Sequence, residues 1–169
     1  MNNEIQQHVL KSNTSIVGIV CKDGVVMAAD RRATAGSIVM SKTEQKVVAI
    51  GDSLVISWTG LASDASLSKK IISAELRLKE LKTKTKSSVK ESANMIGMMI
   101  YRNIRSPSMV PSIVGMLVAG VNEDGSAELY TVEPAGGVYP VKEYDANFSS
   151  GMPYILGLLE RQYKKDLTV

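Results

Sequence analysis

The stretch that decides the fold runs from Thr14 to Gly60. It opens Thr14-Ser15-Ile16-Val17-Gly18-Ile19-Val20 and continues through Lys22-Asp23-Gly24 to Ala28-Ala29-Asp30-Arg31-Arg32-Ala33-Thr34-Ala35-Gly36. Lys46 follows a polar turn, and the stretch closes Ser57-Trp58-Thr59-Gly60. Ser15 to Cys21 and Val25 to Ala29 are apolar and rich in β-branched residues, so they read as two strands of a hairpin, with Gly24 supplying a positive φ. Their nearly continuous apolar character predicts strands covered on both faces. A second hairpin is expected from Ser37 to Met40, a turn over Ser41–Glu44, and Lys46 to Ile50. Gly51-Asp52 then turns the chain into a strand over Leu54 to Thr59.

Beyond Gly60 the period changes. Leu67, Ile71, Ala74, Leu78 and Leu81 recur at helical spacing and predict an amphipathic helix of about five turns. Ser88-Val89-Lys90-Glu91 has the form of a capping box and opens a second helix. Val89, Ala93, Ile96 and Ile100 share one face of it, which Met95, Met98 and Met99 widen as core filler. After Pro107 and Pro111 the strand pattern returns: Ile113 to Val121, a turn at Asn122–Gly125, and Ala127 to Val132. Pro134–Gly137 turns into Val138 to Tyr144. A last helix, with Pro153 in its first turn, carries Ile155, Leu158 and Leu159. Blocks of strands, two helices, strands and one helix predict an α+β domain of packed sheets with helices outside.

Composition narrows the function. The chain has 169 residues, a size typical of one domain, and a net charge of +3. Its one basic run, Lys82–Lys86, lacks interleaved aromatics and reads as a solvated connection between helices rather than a nucleic-acid patch. A single cysteine, Cys21, allows no internal disulfide and suits a reducing compartment. It reads as a buried, inert thiol. No apolar run approaches ~18 residues, so no membrane span is expected. Residues 1–13 are polar and lack a signal-peptide core, and they read as a leader. His8 lies there, with nothing nearby to complete a metal set.

Several residues could carry chemistry. A threonine hydroxyl needs a base, and a free α-amino group, with a pKa of roughly 7.7–8.0, could be one if Thr14 became the N-terminus. Lys46 would favour loss of the hydroxyl proton, and Asp30 would hold Lys46 charged. The Gly60 N–H could stabilise an oxyanion. Each residue alone has a plainer role: Asp30 in a surface pair with its arginine neighbours, Lys46 pointing to solvent, Ser150 as a helix cap.

Taken together, Thr14-Ser15-x-Val17-Gly18, the segment Lys22 to Gly36, Leu61-Ala62-Ser63-Asp64-Ala65, Pro134-Ala135-Gly136-Gly137 and Ser150-Gly151-x-Pro153 closely resemble a proteasome β subunit of the archaeal type. The resemblance covers residues 14–169. It implies an N-terminal-nucleophile hydrolase with a four-layer αββα sandwich, acting as a threonine endopeptidase on unfolded proteins, with no metal or organic cofactor. Thr14 would be the nucleophile, with Asp30, Lys46 and Ser150 supporting it and Gly60 as oxyanion donor. Ala33, Thr34, Trp58, Gly60 and Ala62 would bind substrate. Cleavage between Asn13 and Thr14 would free the amine. The implied partners are other β subunits in a seven-membered ring, an α-subunit ring and a regulatory ATPase that delivers substrate, all in the cytoplasm.

Three departures from the family shape the expectation. Asn13 stands where the family has glycine before the threonine. Trp58 stands at a main determinant of the specificity pocket, where it would favour small substrate side chains or block the pocket. The family's further helix, Gly-rich loop and closing strands have no counterpart before Val169, so the domain is expected to be truncated. The competing expectation is a non-catalytic β-type ring subunit that keeps its leader.

Overall fold

The computed structural model describes residues 14–35, 38–110 and 112–169. Residues 1–13, read from the sequence as a leader and including His8 and Asn13, lie outside the described residues, as do Gly36, Ser37 and Pro111.

The largest unit is a five-stranded antiparallel sheet. In spatial order it runs β5 (Val47–Ile50), β6 (Leu54–Gly60), β7 (Val114–Val121), β8 (Ala127–Val132) and β9 (Val138–Val141). Two helices cover one face. Helix α1 (Ala62–Thr83) lies on β6, and α2 (Val89–Arg105) lies across β7, β8 and β9. Between them sits the main core, in which Ile56, Ile72, Ile96, Val118 and Val132 are fully buried. Each such side chain contributes roughly 1.5–3 kcal/mol through burial. The other face carries a three-stranded sheet, β10 (Tyr144–Asp145), β1 (Ile16–Val20) and β2 (Val25–Ala29). A second core of Ile16, Leu117, Ala119 and Leu129 fills the space between the sheets. Strands β3 (Ala33–Ala35) and β4 (Ile38–Ser41) form a separate two-stranded ribbon. A third helix, α3 (Met152–Gln162), starts with proline in its first turn, as expected. Tyr163, at its end, meets the Tyr144 ring edge-on at 5.2 Å and donates to the Val20 carbonyl at 3.2 Å.

The expected α+β domain is borne out as far as a chain combining helices with several sheets, and the capping box forms: the Glu91 N–H donates to Ser88 Oγ at 3.1 Å, and the Ser88 N–H to Glu91 Oε2 at 3.0 Å. Val89, Ala93, Ile96 and Ile100 are buried as read. Several other expectations need correction. Ile38–Ser41 pairs with Ala33–Ala35, not with Val47–Ile50, which instead turns through Gly51 to pair with β6. Strands β1 and β2 are not covered on both faces. Ala28 is exposed, and the doubly buried strand is β7, which spans the layer between helices and small sheet. Gly24 has no positive φ, and its bare Cα instead admits Val169, whose Cγ2 would lie 2.8 Å from a Cβ there. Val138 to Tyr144 is not one strand but two, serving different sheets. Cys21 is only partly buried, although burial, and then Asp23, push its thiol pKa up.

The largest correction concerns α1. Leu67, Ile71, Ala74, Leu78 and Leu81 face outward and are exposed. The core-facing side of that helix is the weaker stripe Ala65, Ser68, Ile72 and Leu76. Likewise Met95 and Met99 pack on the core, whereas Met98 is exposed.

Candidate active site

The site grows from the end of β1. Hairpin pairing sets Ile16 opposite Ala29, which brings Ser15 beside Asp30. There the Asp30 N–H donates to the Ser15 carbonyl at 3.0 Å, and the Ser15 N–H donates to Asp30 Oδ1 at 2.7 Å. The Arg32 N–H adds a bond to Oδ2 at 2.9 Å. Lys46, one residue before β5, reaches into this cage. Its ammonium donates to both Asp30 oxygens at 3.0 Å and to the Arg32 carbonyl at 2.6 Å. Lys46 is only 5% exposed, so the solvent-facing alternative is excluded. A lysine cation of low exposure needs its three donors filled, and this cage fills them.

Burial alone would raise the Asp30 pKa. The Ser15 N–H, the Lys46 ammonium and the Arg32 N–H outweigh it and hold the carboxyl below its ordinary value. Asp30 does not pair with Arg31, whose guanidinium turns to the Thr43 carbonyl at 3.2 Å.

Thr14 itself is 8% exposed. Its carbonyl accepts the Ser150 N–H at 2.9 Å, from the loop between β10 and α3. The cap of α3 is Gly151, so Ser150 stands one residue outside the helix rather than capping it. The structure therefore brings Thr14, Ser15, Asp30, Lys46 and Ser150 together.

Gly60 is placed by a different contact. It ends β6 opposite Val114 with φ +117°, and a Cβ there would stand 2.1 Å from the Ile113 carbonyl oxygen. Only glycine fits that combination. Since Val47 pairs with Ser57, Gly60 lies at the same end of the sheet as Lys46. Thr34, on β3, lines a surface depression of about 560 Å³ together with Ser15, Asp30, Arg31, Arg32 and Lys42. Ala33 begins β3, and Ala62 is the exposed first residue of α1. Trp58 lies in the helix-side core at 6% exposure, among Ile56, Ala65 and Met116.

Some neighbours of the site escaped the sequence reading. The Arg32 carbonyl is a backbone group and carries no residue-type signal. Asp145, on β10, accepts from Thr131 Oγ1 and from the Asn147 N–H. The second bond spans two residues, the form an Asp before a loop commonly takes, and that pattern could have flagged it.

The site is thus a buried ammonium held by a carboxylate, and that carboxylate also accepts the N–H of Ser15, the residue after Thr14. Comparison with known proteins gives the family. A family model described as proteasome subunit matches residues 10–169, and the chain belongs to that family. It is 34% identical over 156 residues to the proteasome subunit beta of Nanoarchaeum equitans, covering 92% of this chain and 77% of that one. Against the proteasome subunit beta of Archaeoglobus profundus the identity is 35% over 170 aligned positions, covering 100% and 75% of the two chains. Proteasome subunit beta 2 of Aeropyrum pernix is 33% identical over 165, covering 98% and 72%. The resemblance to archaeal β subunits read from the sequence is thus borne out. Among the described residues no helix is long and apolar enough to cross a membrane.

Proposed function

We propose that this chain is a threonine-type endopeptidase subunit of a proteasome, acting through Thr14 once residues 1–13 are removed. The observation that carries the reading is the Lys46 ammonium, held between Asp30 and the Arg32 carbonyl beside the Thr14–Ser15 backbone. In this reading the freed Thr14 amine takes the proton from Oγ1 as that oxygen attacks the scissile carbonyl carbon. The Gly60 N–H stabilises the resulting oxyanion. The C–N bond then breaks, the proton passes to the leaving amine, and water hydrolyses the Thr14 ester to regenerate the site. Lys46, fixed by Asp30, lowers the cost of removing the hydroxyl proton, and Ser150 holds the Thr14 main chain. Thr34 and Gly60, with Ala33 and Ala62 beside them, take the substrate backbone as an added strand. Trp58, packed in the core, narrows whatever side-chain pocket opens above β6.

The same reading extends to architecture and partners. In this reading the two sheets with α1 and α2 outside are three layers of an αββα sandwich, and α3 belongs to the fourth. Residues 14–169 are its β-type domain and 1–13 its leader. Partner subunits are other β chains in a seven-membered ring and an α-subunit ring, with unfolded proteins delivered by an ATPase in the cytoplasm. The exposed stripe Leu67, Ile71, Leu78 and Leu81 supports assembly, because an apolar helix face of that length needs a partner surface.

A second reading, a leader-retaining structural subunit, is favoured by Asn13 in the sequence and by the low exposure of Thr14. Intact mass and N-terminal sequencing of the subunit from assembled particles separate the two. A chain beginning at Thr14, with peptidase activity lost in Lys46→Ala, supports the enzyme. A chain still carrying residues 1–13 in a complete particle supports the structural subunit, and full peptidase activity in Lys46→Ala refutes the proposed site.

A further inference from the structure

The Thr14 main chain is held from behind by the loop that joins β10 to α3. The Ser150 N–H donates to the Thr14 carbonyl, and Gly151 sits so close to Ser15 that a Cβ there would stand 2.5 Å from Ser15 Oγ. This loop is not in a relaxed conformation. Phe148 has φ +60°, a region that a bulky L-residue holds only when its surroundings impose it. Three contacts do so. The Phe148 side chain lies over Gly115 of β7, where a Cβ would meet Phe148 Cβ at 3.0 Å. Ser149 Oγ donates to the Ala146 carbonyl at 2.6 Å. The Asp145 carboxylate, 6% exposed, takes the Asn147 N–H on Oδ1 at 3.0 Å and the Thr131 hydroxyl on Oδ2. Of these three, only the carboxylate ties the loop by hydrogen bonds to the large sheet.

We propose that Asp145 is a positioning residue: by joining Thr131 of β8 to the Asn147 N–H, it fixes the 146–151 loop and, through Ser150, the Thr14 main chain. The proposal rests on the reading of Thr14 as nucleophile. Asp145 touches neither substrate nor the reacting oxygen. Its effect falls on the orientation of Thr14, while the substrate-strand contacts assigned to Thr34 and Gly60 lie outside the loop. Loosening the loop therefore lowers kcat and leaves KM nearly unchanged.

The test compares Asp145→Ala, Asp145→Asn and Thr131→Val in assembled particles. Asparagine keeps an oxygen for the Asn147 N–H and can donate its amide to Thr131 Oγ1. Valine removes only the Thr131 hydroxyl at nearly constant volume, and it covers the case in which Asp145→Ala does not fold. Hydrogen exchange of the peptide carrying residues 146–151 is read alongside steady-state cleavage of a fluorogenic peptide. The expected result for Asp145→Ala and Thr131→Val is exchange at least tenfold faster there, with β1 and β2 still protected. With it come a kcat at least tenfold lower and a KM within twofold. Asp145→Asn recovers at least half of the rate. Unchanged exchange of that peptide, an equal change in KM and kcat, or no recovery in Asp145→Asn overturns the proposal. A wild-type particle that begins at Thr14 yet cleaves no peptide refutes the reading of Thr14 instead, and the exchange measurement then decides the role of Asp145 by itself.

Discussion

The two charges of the proposed site make unequal contributions to stability, and the inequality can be measured. Removing the carboxylate in Asp30→Ala leaves the Lys46 ammonium, 5% exposed, with the Arg32 carbonyl as its one acceptor among the described residues. It also leaves the Ser15 and Arg32 N–H groups without their acceptor. Breaking a buried ion pair from one side costs about 3–5 kcal/mol. Asp30 is 32% exposed, so water softens the loss, and about 3 kcal/mol is the expectation. Removing the ammonium in Lys46→Met is different. The remaining carboxylate keeps both N–H donors and its access to water, and methionine fills most of the vacated volume, so the expected cost is about 1–2 kcal/mol. For a chain of this size about 1 kcal/mol shifts Tm by roughly 2–4 °C. Asp30→Ala should therefore melt about 6–12 °C below wild type and Lys46→Met only about 2–8 °C below. The single tryptophan, Trp58, is buried in the core and reports unfolding directly through its fluorescence. Both variants should lose peptidase activity. A Lys46→Met variant less stable than Asp30→Ala would refute the reasoning, because it would mean that the cage is held together by the lysine rather than by the carboxylate.

Further tests bear on the same elements. Gly60→Ala forces a Cβ to within 2.1 Å of the Ile113 carbonyl at a positive φ, so it should destabilise by more than about 3 kcal/mol in thermal melts. A neutral result there would show that the β6–β7 pairing does not persist to Gly60. Asp30 titrates lower in the folded chain than in the unfolded one, so its contribution is complete above about pH 4 and is lost as the pH falls through the folded value. Urea denaturation of wild type and Asp30→Asn at pH 7, 5 and 3 should show the stability gap closing only at the lowest pH, and a gap constant to pH 3 contradicts the assignment. Ile96→Ala should cost about 2–5 kcal/mol as a core truncation, whereas Leu67→Ala should stay within about 0.5 kcal/mol in the unassembled chain. Equal losses would place Leu67 in a core this structure does not have.

What the sequence made legible was local and chemical. The apolar, β-branched runs of β6, β7 and β8, the capping box at Ser88 and the proline at the start of α3 each act within a few residues, so their signals survive without tertiary knowledge. The pairing of Asp30 with Lys46 was legible only through the family resemblance, since each residue alone also allowed a surface role. What failed was pairing. Whether Ile38–Ser41 joins β3 or β5 depends on which ribbon the Arg31–Lys46 segment folds into, and neither strand's composition distinguishes them. The Arg32 carbonyl and the Ser150 N–H, both central to the site, are backbone groups that every residue type shares. Phe148 at positive φ could not be foreseen, since the sequence there offers a residue that avoids that region.

The misreading of α1 has a physical cause. Its strongest apolar stripe recurs at steps of four, three, four and three, a mean of 3.5 residues, which is the period of a helix meeting another helix. The stripe that faces β6 is built from Ala65, Ser68, Ile72 and Leu76, smaller on average and interrupted by a serine. A helix lying close on a sheet needs small residues at the contact, so its inward face reads as the less hydrophobic one. An amphipathic pattern shows only that one face avoids water, not which surface covers it. In a family of assembling subunits the covering surface can belong to another chain, and the larger hydrophobic signal then faces away from the chain's own core. The two stripes differ in period as well as in bulk: a 3.5-residue repeat of leucine and isoleucine, on a helix that flanks a sheet, suits a helical partner outside the chain better than it suits the sheet beneath.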